Sequence, residues 1–86
     1  MYKEKLAEQK CKELLAESEL MELTHKAKAL QTALYIVSCL NNTEQTIKQL
    51  KNIKSEITRA IEITRAELTT YAINIVALEL LVKQGD

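Results

Sequence analysis

The chain contains no proline, no phenylalanine and no tryptophan, and its one glycine, Gly85, stands next to the last residue. The residues before Gly85 therefore lack both of the residue types that most strongly interrupt a helix. Ala, Glu, Lys, Leu and Arg together supply 45 of the 86 residues. This composition is typical of long helices and coiled coils, and a chain of this length forms at most one small domain.

An excess of charge of one sign is also missing, because 12 basic residues balance 12 acidic ones. A dedicated nucleic-acid-binding protein usually carries a surplus of Lys and Arg that neutralises phosphates. The sequence has only one histidine, no Gly-rich phosphate loop and no pairing of a nucleophile with a base. These absences argue against a nucleic-acid binder and an enzyme, and we expect no cofactor.

Cysteine is scarce, and Cys11 and Cys39 lie far apart in the sequence. If one continuous helix carried both, about 42 Å would separate them, which no disulfide can span. With few cysteines and no secretory signal, a cytoplasmic location is expected. Cysteines on the packed face of a helix are more often small buried hydrophobic residues than reactive thiols, and we interpret these two in that way.

The most convincing break in the helical pattern is LNNTEQ, residues 40–45. Asn41 favours the left-handed conformation that ends a helix, and Asn42 with Gln45 resembles a capping box. We therefore predict an all-α chain, an antiparallel helical hairpin with helix one over 3–40, a turn at 41–42 and helix two over 43–84.

Helix two carries a regular heptad of apolar residues, interrupted by Lys54 and Thr64. Helix one is less regular, because an apolar stripe from Ala7 to Met21 and another from Leu20 to Val37 lie on different sides of the helix. The shift near residues 18–26 would be explained by a kink, a stutter or a split first helix. We favour one long helix.

The segment YAINIVALELLV, residues 71–82, is apolar at ten of twelve positions. It is too short to span a membrane, which needs about 20 mostly apolar residues, and it contains Glu79. In the hairpin it faces residues 1–12, which offer few large apolar groups, whereas the apolar residues 29–40 lie near the turn. An antiparallel homodimer would bring the two apolar segments together and bury them.

We therefore predict that the hairpin self-associates, with a dimeric four-helix bundle as the expected assembly. Tyrosines among apolar neighbours are efficient anchors in such interfaces. The residues predicted to form the interface are Leu34, Tyr35, Val37, Leu68, Tyr71, Ile75, Leu78, Leu81 and Val82.

Two groups of polar residues suggest functions other than protein interaction. Glu22 and His25 have the Glu-x-x-His spacing of di-iron and di-manganese bundles, for which helix two could add Glu56 or Glu62. The regular heptad turns these two glutamates away from the packed face, so we predict an exposed His25 and no metal.

A basic cluster could instead bind RNA or a nucleotide, but no aromatic residue lies nearby for base stacking. Its members are Lys26, Lys28, Lys48, Lys51 and Lys54.

The composition and patterns together favour a non-enzymatic interaction protein, a helical hairpin that binds itself and another protein. Small adaptors, secretion chaperones and phage- or plasmid-encoded regulators fit this description. An RNA- or nucleotide-binding bundle that uses the lysine cluster is the alternative, and a metal-carboxylate bundle is a more remote one.

Overall fold

A computed structural model describes residues 1–40 and 44–85, which form two long helices, α1 (Tyr2–Cys39) and α2 (Glu44–Lys83). Both helices begin and end within one residue of the predicted bounds. The predicted turn at 41–42 and its capping by Asn41 and Asn42 lie outside the described residues. The described residues are all-α and form an extended helical hairpin, as predicted.

The two helices run antiparallel along their whole length. Near the open end of the hairpin, Asn74 Nδ2 donates a hydrogen bond to Gln9 Oε1 at 3.2 Å, and Lys10 Nζ lies 3.6 Å from Glu79 Oε1. These contacts join the first residues of α1 to the last residues of α2. They confirm that residues 71–82 lie beside the start of the chain.

The heptad predicted in α2 is the face that packs against α1. Its members are buried or half-buried, with the exception of Lys54, whose side chain is exposed. Thr64 and Ile75 are the two buried members. We call this row the α2 seam: Ile47, Leu50, Lys54, Ile57, Ile61, Thr64, Leu68, Tyr71, Ile75, Leu78 and Val82.

The prediction of one long first helix is confirmed, and its two apolar stripes lie on different sides, but the face that packs against α2 does not change along α1. The helix is unbroken through residues 18–26, and a single row with alternating spacings of three and four residues faces α2 from end to end. Polar Gln9 and Glu13 occupy this row near its start, which hides it from a search for apolar residues. The α1 seam comprises Tyr2, Leu6, Gln9, Glu13, Ala16, Leu20, Leu23, Ala27, Leu30, Leu34 and Val37.

The hairpin is a narrow rod of two helices, with principal extents of 66 × 14 × 13 Å. Its radius of gyration is 19.2 Å, whereas a compact chain of this length would have about 12 Å. Two helices side by side can cover only one face of each other. Among the described residues, only Ala16 and Ile75 are buried hydrophobic residues.

Candidate functional site

The apolar run 71–82 divides between two faces of α2. Tyr71, Ile75, Leu78 and Val82 belong to the seam, and Ile75 is only 8% exposed. The other large apolar side chains of the run lie outside the seam, and their exposed fractions range from 40% to 64%. These are Ile73, Val76, Leu80 and Leu81. The hairpin therefore covers about half of this run. No helix in the described part of the chain is long and apolar enough to cross a membrane.

The uncovered residues of α2 form a second regular row on the outer side of the helix. We call it the α2 outer stripe: Ile63, Ala66, Thr70, Ile73, Ala77 and Leu80. Its spacings alternate between three and four residues, and each of its members is exposed. Ile73, Ala77 and Leu80, together with Ala72 and Val76, line a shallow groove whose surface is almost entirely apolar.

Helix α1 has an outer row of its own. The predicted stripe from Ala7 to Met21 points away from α2, and each of its members is exposed. Leu14 and Met21 are 66% and 64% exposed, and Leu15 beside them is 67% exposed. We call this row the α1 outer stripe: Ala7, Cys11, Leu14, Ser18 and Met21.

The residues predicted to form an interface between chains lie in two environments. Seven of them belong to the seams, where they pack within the hairpin and are buried or half-buried: Leu34, Val37, Leu68, Tyr71, Ile75, Leu78 and Val82. Tyr35 and Leu81 are exposed, at 72% and 40%. The contact of these nine residues with a second chain stays a prediction. Sequence reasoning missed the α2 outer stripe, although its spacing of three and four residues could have shown it.

The Glu-x-x-His pair lies on solvated surface. His25 is exposed, as predicted, and Glu22 Oε1 is 3.4 Å from Lys26 Nζ in an ion pair one helical turn away. Glu56 and Glu62 are also exposed. Within residues 1–40 and 44–85, no three potential ligands among His, Cys, Asp and Glu come together as a metal site.

The lysine cluster is exposed, and its members do not converge on one enclosed site. Lys48 and Lys51 border a shallow groove with Glu44 and Ile47, whereas Lys54 lines a separate groove beside Glu62 and Arg59. A carboxylate in each groove weakens the attraction for an anion. Lys26 is paired with Glu22, and Lys28 is exposed. Binding of RNA or a nucleotide here stays a prediction.

The interpretation of the cysteines as buried residues is wrong, because both thiols are free and exposed. Cys11 belongs to the α1 outer stripe, and Cys39 is the last residue of α1. Ala7 and Leu14, which neighbour Cys11 in this stripe, are exposed with it.

No protein-family model, curated protein or solved structure matches this chain. Packing within the hairpin leaves the exposed apolar stripes of the two helices unexplained.

Proposed function

We propose that this chain is a non-enzymatic interaction protein whose hairpin self-associates and then presents a surface to another protein. The observation that carries this proposal is the pair of outer stripes. Large apolar side chains at regular helical spacing face solvent on both helices, and an apolar face of this kind usually contacts another protein.

The accessible surface of the hairpin supports the same proposal. The chain exposes 6664 Å², whereas a compact monomer of 9.8 kDa would expose about 5,200 Å². The excess of about 1,500 Å² exceeds the roughly 800 Å² that each partner buries in a standard interface. Self-association would therefore remove a surface that the hairpin cannot cover by itself.

Sedimentation equilibrium over the micromolar range tests self-association. We expect a mass that is a multiple of the 9.8 kDa of one chain, with dissociation only on dilution. A well-folded monomer at micromolar concentration would contradict the proposal. Circular dichroism of the same samples distinguishes a folded monomer from an unfolded chain.

Native mass spectrometry of the protein purified from its own host tests the second half of the proposal. We expect assemblies that contain copies of this chain and a different polypeptide. Replacement of Met21 and Leu14 by Ser should release that polypeptide if the α1 outer stripe holds it. Particles that contain this chain alone would restrict the proposal to self-association.

A further inference from the structure

We propose that the α2 outer stripe is a two-fold interface, on which α2 of a second copy packs antiparallel with its centre between residues 71 and 72. This inference rests on the proposed self-association and specifies its face, direction and register. The assembly would place the two α2 helices in the middle and the two α1 helices on the outside.

The spacing of the α2 outer stripe selects this register. In an antiparallel pair of helices, the two positions of the apolar repeat pack against each other in layers. A centre between residues 71 and 72 pairs Ile63 with the partner's Leu80, Ala66 with the partner's Ala77, and Thr70 with the partner's Ile73. Two-fold symmetry repeats each layer, as an isologous interface requires. A shift of one heptad in either direction leaves Leu80 or Ile63 without an apolar partner.

The residues beside the stripe agree with the antiparallel direction. In this register Glu62 lies beside the partner's Lys83, an attractive pair that symmetry repeats, and Glu67 lies beside the partner's neutral Asn74. Glu62 and Lys83 are exposed, and neither forms an ion pair with another residue in 1–40 or 44–85. A parallel pair of α2 helices would instead place Glu62 beside the partner's Glu67, where like charges repel.

The α1 outer stripe is a poorer surface for the same kind of pairing. The register that pairs Cys11 with the partner's Met21 places Glu17 beside the partner's Glu17. It also places Glu8 beside the partner's Glu22. The Glu17 contact repels, whereas Lys12 and Lys26 offset the charges of Glu8 and Glu22. The interface would also contain Ser18 among its apolar layers. The charges therefore direct self-association to α2 and leave the α1 outer stripe free.

Disulfide cross-linking tests the register directly. In a background with Cys11→Ser and Cys39→Ser, chains carrying Ala66→Cys are mixed with chains carrying Ala77→Cys and oxidised. We expect a covalent heterodimer, because these positions form one layer of the proposed interface. Each variant alone is the matched control, since two copies of either position lie 11 residues apart along the helix axis, about 16 Å. Equal cross-linking in the mixture and in the controls would overturn the register.

A charge exchange tests the direction of the helices. Glu62→Lys should raise the dissociation constant of the dimer about tenfold, because two attractive pairs become repulsive. Lys83→Glu should act in the same way, and the double variant should recover the affinity of the original chain. Absence of recovery in the double variant would contradict the pairing.

Ile73→Asp separates failure of this inference from failure of the proposed function. Ile73 is 64% exposed in the hairpin, so the variant should keep its helical circular dichroism and sediment as a monomer. An original chain that is already a folded monomer would overturn both proposals. An original dimer that survives Ile73→Asp would overturn only the α2 interface and leave self-association through another face.

Discussion

The inner and outer faces of α2 between residues 61 and 82 have nearly the same sequence pattern, but they differ in burial. Each face has apolar residues at alternating spacings of three and four, with one threonine among them. The α2 seam is buried or half-buried along this stretch, whereas the α2 outer stripe is exposed throughout. A heptad pattern therefore shows that a helix face is suited to packing, but it does not identify which neighbour covers it.

The largest expected difference is in how substitutions at Ile75 and Ile73, which are two positions apart, change the free energy of unfolding. Ile75→Ala should lower the free energy of unfolding by about 2–5 kcal/mol, because it removes a buried side chain from the seam. Urea unfolding at several protein concentrations should show this loss at every concentration. The loss caused by Ile73→Ala should grow with concentration, because its side chain contributes mainly through association. Equal losses for both variants at all concentrations would contradict the assignment of inner and outer faces.

A smaller difference in stability is expected when valine replaces each of two threonines that make the same kind of local hydrogen bond. Thr64 Oγ1 donates to Ala60 O and Thr58 Oγ1 donates to Lys54 O, both at 2.9 Å, but only Thr64 is buried, with 3% exposed. Thr64→Val should raise the free energy of unfolding by about 1 kcal/mol, because an apolar methyl replaces a buried hydroxyl.

Thr58→Val is the matched control for this prediction, since it removes the same kind of bond at an exposed position. Its thermal unfolding midpoint should stay close to that of the original chain. If the Thr64→Val protein is no more stable than the Thr58→Val protein, water reaches the side chain of residue 64 in spite of its burial.

The smallest effect is expected from Glu79, whose carboxylate lies 3.6 Å from Lys10 Nζ between half-exposed side chains. Glu79→Gln should lower the free energy of unfolding by about 0–1 kcal/mol, and added salt should reduce the difference. Because this pair joins α1 to α2 within one chain, the effect should not change with protein concentration. A loss that grew with concentration would place Glu79 at an interface between copies.

Much of the hairpin could be predicted from the sequence, because its causes are local. The absence of proline and internal glycine permits two uninterrupted helices, and the apolar repeat from Ile47 to Val82 identifies the packed face of α2. The α1 seam could not be found in the same way. Its first half contains Gln9, Glu13 and Ala16, whereas the more apolar row through Leu14 and Met21 lies on the outer side of the helix.

The sequence by itself determined the helices, the antiparallel hairpin and the repeat on α2, since each follows from residue preferences over a few turns. The tertiary structure decided which of two competing rows on α1 faces α2. That choice depends on how whole faces fit together along the length of the hairpin. In α1, the row that packs against α2 contains polar residues near its start but stays apolar from Ala16 to Val37. The α1 outer stripe is apolar only as far as Met21, because the next two positions of its row are His25 and Lys28.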